Sequence, residues 1–439
     1  MNFENINNEL ISFLDSSPVS FFAVRNMCET LNSEGFTRLF EGEAWKLEAG
    51  KGYYVTRNDS AIIAFRIPKT DYTGFQMMAS HCDSPVFKIK TNAEITIDKQ
   101  YVKLNVEKYG GMICSPWLDR PLSVAGRIVV STEDGITTKL VNLDRDLMII
   151  PNLAIHMNRQ VNEGYNFNAQ VDMLPLFCEK GEEKDVFLKL IADEAGVKAE
   201  DILDTDLFLY NRMKGTKLGL NNEFIASGRL DDLQCAFASL QGFLQAEPKD
   251  SVAVHCVYDN EEVGSGTKQG AASTFLKDTL HRINNAFGKS EDEYLMSIAK
   301  SFLVSADNAH AVHPNHPEKS DPTNRPYLNK GIVIKYSANQ KYTTDAISGA
   351  IMRAICKKAD VPYQTFTNRS DMLGGSTLGN ISQNQVALNT VDIGLPQLAM
   401  HSPYETAGAK DTAYLVEAAK VLFSSSIEGA GDGNYKLKF

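Results

Sequence analysis

Ser251-Val252-Ala253-Val254-His255-Cys256-Val257-Tyr258-Asp259-Asn260-Glu261-Glu262-Val263-Gly264-Ser265-Gly266 passes from an apolar octet straight into adjacent carboxylates. The octet has the length and near-continuous apolar character of a strand covered on both faces, as in a parallel sheet. Two like charges at the end of such a strand are costly unless a cation or a proton compensates them. Two chemical roles meet that need: one carboxylate binds a metal while its neighbour handles the proton of an activated water. An isolated Glu-Glu pair is more often found on a solvated loop, so the chemical reading depends on partners elsewhere.

Such partners follow other strand-like runs. Residues 75–80 end in His81-Cys82-Asp83, residues 301–306 in Asp307, and residues 396–400 in His401. Asp231-Asp232 opens a helical stripe of Leu233, Ala236, Phe237, Leu240, Phe243 and Leu244 that Pro248 stops. In an open, mainly parallel sheet the carboxyl ends of the strands line one crevice, where ligands bind. Taken singly, each residue has an ordinary reading: His81 a core histidine, Asp231 or Asp232 a helix N-cap, Asp307 a turn residue, His401 a surface side chain. Two histidines and several carboxylates on one edge are the ligand set of a two-metal hydrolytic site.

The rest of the chain sets the frame. Ile6, Leu10 and Leu14, then Phe21, Val24, Cys28 and Leu31, predict two packing helices, and residues 52–57 and 61–67 predict paired strands. From about residue 91 the texture turns to short β-rich runs, with a hairpin turn at Glu133-Asp134-Gly135. Helices are expected near 186–196 and 199–204. Alternation of strand and helix resumes after 222, so the prediction is an α/β protein with a mixed sheet flanked by helices, residues 1–90 plus 223–439, interrupted by an inserted β-rich domain, 91–222. The glycine-bearing tail after Ile427 reads as a surface extension.

Composition narrows the function. The chain has 439 residues, 43% hydrophobic and 23% charged, which is ordinary for a globular protein with a large core. A formal charge of −11, without a basic cluster, argues against nucleic acid as a partner. Seven scattered cysteines, odd in number and never spaced CxxC, suit reduced thiols. The start lacks the pattern of a signal peptide and no run is long enough for a membrane-spanning helix. A cytoplasmic location away from membranes is the expectation.

With these runs in place, the chain resembles the aspartyl aminopeptidases and vacuolar aminopeptidase I, metallopeptidases with two co-catalytic zincs. The resemblance rests on Ser80-His81-Cys82-Asp83-Ser84-Pro85, Ser227-Gly228-Arg229-Leu230-Asp231-Asp232-Leu233, Asp259-Asn260-Glu261-Glu262-Val263-Gly264-Ser265, Ser305-Ala306-Asp307-Asn308-Ala309-His310-Ala311-Val312-His313-Pro314 and Pro396-Gln397-Leu398-Ala399-Met400-His401-Ser402. It implies that Asp231 bridges both metals, that His81 and Asp307 complete one and Glu262 and His401 the other, that Glu261 is the general base, and that Asp83 orients His81. It further implies that the insertion is a dimerisation domain, that His156 reaches a neighbouring subunit's site, and that Lys335 and Tyr342 lie in the substrate pocket. Family members form tetrahedral dodecamers, so a homo-oligomer is expected. Three departures stand out: Asp232 where many relatives have asparagine, Cys82 in place of threonine, and Tyr404 where the aspartyl-specific branch has arginine.

The expected activity is removal of single N-terminal residues from peptides with a free N-terminus, with two divalent ions, zinc or else cobalt or manganese; the resemblance adds a preference for acidic first residues, which the absence of the arginine before Glu405 weakens. The alternatives are another di-zinc amidohydrolase, a carboxypeptidase or deacylase, and an inactive peptide-binding shell.

Overall fold

The computed structural model describes residues 1–429 and 432–439. A nine-stranded sheet forms its centre, in the order Thr37–Leu39, Gly52–Arg57, Ala61–Arg66, Ser251–Tyr258, Gly74–His81, Phe302–Ala306, Asn389–Gly394, Ile332–Lys335, Tyr363–Phe366. Its four middle strands, from Ser251–Tyr258 to Asn389–Gly394, run parallel, while Ala61–Arg66 and Ile332–Lys335 pair antiparallel on either side. The expected mixed α/β sheet is present. The apolar octet is buried along its whole length, as a strand covered on both faces must be.

Helices supply those covers. Leu230–Leu244, Ala346–Ala359 and Asp411–Ser424 pack on one face with the two N-terminal helices, Phe3–Ser16 and Ser20–Ser33, through Leu10, Leu14, Leu233, Ala236, Ile355 and Leu415. Phe275–Ala286 covers the other face through Phe275, Leu280 and Ile283. At Gly242 a Cβ would lie 2.5 Å from Ala419 Cβ, so glycine lets the helices Leu230–Leu244 and Asp411–Ser424 approach closely.

A six-stranded antiparallel sheet is built from Gly135–Asn142, Leu122–Thr132, Ile202–Asn211, Val86–Ile97, Tyr101–Tyr109 and Leu176–Glu179. It has a core of its own around Phe87, Leu104, Trp117, Ile128 and Leu207. The hairpin at 133–134 forms, with Thr132 opposite Gly135. The helix expected at 199–204 does not: one turn, Ala199–Asp201, leads directly into the strand Ile202–Asn211. Pairing of Ile202 with Val130 and of Asp204 with Val129, continued by Leu207 and Leu209 in the sheet's core, decides the element over local helix propensity.

A third sheet of five strands, Thr216–Leu218, Phe224–Ser227, Glu405–Gly408, Pro396–Leu398 and Ala309–His310, lies outside the main one. The strand before His401 therefore belongs to this small sheet and not to the central crevice edge. The C-terminal tail is no loose extension, because Ser426–Gly429 pairs with Tyr435–Lys438. Residues 430 and 431 lie outside the described residues. Among the described residues no helix is long and apolar enough to cross a membrane.

Candidate active site

Strand register brings the first residues together. Tyr258 lies beside His81 in the parallel pair, so Asp259-Asn260-Glu261-Glu262 and His81-Cys82-Asp83 leave the sheet at one edge. Asp307 follows the next strand, Phe302–Ala306, on that same edge. Glu261–Val263 forms a single tight turn, entered through Asn260 at φ 62°, a left-handed conformation that asparagine tolerates. Asp231 and Asp232 open Leu230–Leu244 in non-helical conformations, joined by a cis peptide. His401 arrives from the small sheet.

The imidazoles and carboxylates converge. His81 Nε2 is 3.3 Å from Asp231 Oδ1 and 3.9 Å from Asp307 Oδ1. His401 Nε2 is 3.6 Å from Asp231 Oδ2 and 3.4 Å from Glu262 Oε2. Asp231 thus presents one oxygen to each histidine. Asp231, Glu262 and His401 offer donor atoms within 4.8 Å of one another, as do His81, Glu261 and Glu262, and His81, Asp232 and Asp307. Asp232 is no helix cap: it is fully buried, and its Oδ2 accepts from His81 N at 3.1 Å.

Surrounding hydrogen bonds aim these groups. His81 Nδ1 faces Asp83 O at 3.1 Å and Asp83 Oδ1 at 3.3 Å, and His401 Nδ1 faces Gly111 O at 2.7 Å. Each Nδ1–H therefore donates to oxygen and leaves the Nε2 lone pair pointing at the carboxylates. Asp83 also accepts from Glu261 N and Glu262 N, both at 3.1 Å, and from Tyr109 Oη at 2.7 Å, so one carboxylate fixes the ring and the acidic turn together. Glu405, 2% exposed, accepts from Asp231 N at 3.0 Å and His401 N at 2.8 Å.

Charge in this cluster is unbalanced. Burial, with Asp307, Asp83 and Asp231 close by, pushes Glu261 up to about 8, and burial with the neighbouring Asp231 drives Glu262 well above the carboxylate range. Asp307 is raised by burial to about 6 although Lys335 opposes the shift. Burial would raise Asp231 too, but the imidazoles of His81, 3.3 Å away, and of His401 bring it below its ordinary value. Oδ1 of Asp231, Oδ1 of Asp232 and Oε1 of Glu262 are buried with no hydrogen-bond partner. Buried carboxylate oxygens demand compensation. The set, imidazole nitrogen with carboxylate oxygen, fits divalent ions of the zinc class.

These groups line a cavity of about 310 Å³ with Asn308, His310, Lys335, Tyr342, Phe366 and Thr377. Lys335 is 3% exposed, donates to Asn308 O at 2.8 Å, stands 4.0 Å from Asp307 Oδ2 and lies 5.5 Å from the Tyr342 ring centre. His156 does not join the cavity; it stands exposed in the 150–173 loop of the inserted segment. Tyr404, at the departure from the arginine pattern, turns away to donate to Lys214 O at 3.0 Å. Sequence reasoning missed Glu405, Gly111 and Tyr109 as supports. Only the buried placement of Glu405 on a strand could have flagged it, and nothing local marks a glycine carbonyl as a histidine's acceptor.

Comparison with known proteins places the chain. The family described as aminopeptidase I zinc metalloprotease (M18) matches residues 13–423. A probable M18 family aminopeptidase 2 of Clostridium novyi is 49% identical over 424 residues, covering 95% of this chain and 98% of the relative. A chain in the cryo-EM structure of the Ape4 and Nbr1 complex superposes with a TM-score of 0.93 at 38% identity, covering 96% of this chain and 86% of its own. The S. cerevisiae mApe1 dodecamer matches with a TM-score of 0.85 at 26% identity, covering 96% and 97%.

Proposed function

The chain belongs to the aminopeptidase I zinc metalloprotease family and is a metalloexopeptidase, and on that premise we propose that it releases single N-terminal residues, favouring acidic ones, at a two-metal centre. The observation that carries the reading is Asp231, whose two carboxylate oxygens face His81 and His401 separately. On this reading Asp231 is shared, His81 and Asp307 hold one ion, and Glu262 and His401 hold the other. Zinc is the first expectation, and cobalt and manganese suit the same donors. Bound there, the ions supply Lewis acidity toward the scissile carbonyl and lower the pKa of water.

The chain's own residues do the rest. Glu261 is held at the cavity by Asp83 through its backbone N–H, in position to take a proton from water and return it to the leaving amine. Asp83 keeps His81 in the tautomer that offers Nε2. Lys335 places a buried ammonium on the cavity wall, chemistry that would hold a substrate side-chain carboxylate, with Tyr342 beside it. Because Tyr404 points elsewhere, the missing arginine does not remove this cation.

The same proposal covers organisation. Residues 1–90 plus 223–439 are assigned to the catalytic unit and 91–222 to the assembly unit; the separate core of the six-stranded sheet supports an inserted unit, and the strands of that sheet run from residue 86 to residue 211. Likeness to the mApe1 dodecamer supports a homo-oligomer, and the proposal extends this to a tetrahedral dodecamer in which His156 reaches a neighbour's site. Seven free cysteines support a cytoplasmic location.

The test is a panel of aminoacyl nitroanilides beginning with Asp, Glu, Leu, Lys and Met, run beside N-blocked peptides on metal-reconstituted protein. Hydrolysis should need a free amino terminus, be fastest for Asp or Glu, and fall by about 10²–10⁴ in Glu261→Gln. Cleavage of blocked peptides would favour another amidohydrolase, no cleavage at all a binding shell, and full activity of Glu261→Gln would remove the base.

A further inference from the structure

Asp392 lies on Asn389–Gly394, a central strand, and is completely buried. It touches none of the residues assigned above to the metals. Its carboxylate instead gathers two separate walls of the cavity. Oδ2 accepts from Thr343 N at 2.5 Å and Thr343 Oγ1 at 2.6 Å, while Oδ1 accepts from Thr377 Oγ1 at 2.6 Å. Thr343 follows Tyr342, and Thr377 follows Gly375 and Ser376; Tyr342, Gly375, Ser376 and Thr377 all line the cavity. The backbone of Asp392 is tied to the same segment, its N–H donating to Thr344 Oγ1 at 2.9 Å.

The strand order adds the third wall. Asn389–Gly394 pairs antiparallel with Ile332–Lys335, with Ile334 opposite Ile393, so Lys335 emerges beside Asp392. The space around the carboxylate is reserved for it: a Cβ on Gly379 would stand 2.8 Å from Oδ2 and 2.9 Å from Oδ1. A buried carboxylate with no function would be expensive. One that accepts three hydrogen bonds from two loops is compensated by them, and it fixes the groups that compensate it.

We propose that Asp392 is a positioning residue for the first-residue pocket, clamping the Tyr342-Thr343-Thr344 segment and the Gly375-Ser376-Thr377 turn at the spacing that admits a substrate side chain beside Lys335. It rests on the reading of this cavity as the substrate pocket. Asp392 touches neither substrate nor reacting atoms. Losing it leaves the metal ligands, Glu261 and Asp83 in place and loosens the walls, so substrate binding suffers before chemistry does.

Asp392→Asn keeps the shape, but gives up the charge and turns one acceptor into an N–H. Steady-state kinetics on the best wild-type nitroanilide should show KM raised about tenfold or more, the scale of one hydrogen bond to a charged group, with kcat within about threefold. Zinc content should match wild type. Thr377→Val removes one bond without leaving a charge unpaired; it should raise KM several-fold, and the two effects combined should be smaller than their product because both cut the same tie. If Asp392→Asn does not fold, the several-fold KM rise of Thr377→Val with kcat unchanged carries the test. An unchanged KM, a fall in kcat alone or a loss of zinc overturns the proposal. If the wild type prefers a non-acidic first residue, the shift is read on that substrate, so the acid-pocket reading can fail while the role of Asp392 stands.

Discussion

Glu261 shows how much a single side chain's surroundings decide. Burial holds it near 8, and Asp307 near 6, so in protein stripped of divalent ions both carboxyls keep protons that the unfolded chain would release. The fold then binds more protons than the unfolded state from about pH 4 to about pH 8, and stability falls as pH rises through that window. His81, raised by the Asp231 and Asp83 carboxylates against the opposing effect of burial, pulls the same way. Asp411, pushed up to about 7 by burial at a distance from the site, does so too, so the comparison must be between stripped and zinc-loaded protein. Zinc competes with those protons. The zinc-induced rise in Tm should therefore be larger near pH 8 than near pH 5.5, read by differential scanning fluorimetry; equal rises at both would contradict the assigned ligands. At this scale the sequence was readable, because His81, Asp307 and the Glu261-Glu262 pair each end a recognisable strand. Asp232 was not: its neighbour in the chain and its position before a helix suggest a cap, and only the fold turns its oxygen toward His81 N.

Elements meet at Glu405, and here sequence signals give out. Asp231 opens a helix and His401 leaves a strand of the small sheet, yet both backbone N–H groups donate to this one carboxylate. Pairing of Phe224–Ser227 with Glu405–Gly408 puts Glu405 opposite Ser227, just before the Asp231 loop. No local periodicity announces that the run before His401 crosses to a second sheet; its three residues look like any short strand. The six-stranded sheet contributes as well, since Gly111, just past Tyr101–Tyr109, accepts from His401 Nδ1. Supports of this kind commonly weaken metal binding when lost. Glu405→Gln replaces an acceptor oxygen by an N–H facing donors, and zinc affinity measured by competition with a chelating dye should fall by about 10–100-fold. Unchanged affinity would mean that the two loops hold their positions without it.

For the whole molecule, surface chemistry complements the site. The 150–173 loop exposes Leu153 at 56%, Met157 at 74% and Val171 at 68%, with His156 among them. In the proposed assembly, these exposed apolar side chains belong to the surface that a neighbouring chain covers. Met157→Asp should shift sedimentation velocity from one large species to smaller ones, and a distribution identical to wild type would place the assembly contact elsewhere. Composition and texture made the layout legible: a β-rich interval between stretches of α/β alternation appears as a separate antiparallel sheet with its own core. How chains meet was not legible, because an exposed hydrophobic residue and a buried one look alike in a sequence.

All of this depends on one shared carboxylate holding two ions. Protein reconstituted with zinc, desalted and measured by inductively coupled plasma mass spectrometry should retain two ions per chain, and Asp231→Ala should lose both while keeping its circular dichroism spectrum. A folded wild-type chain that retains no zinc, or an Asp231→Ala variant that keeps its full complement, would contradict the account.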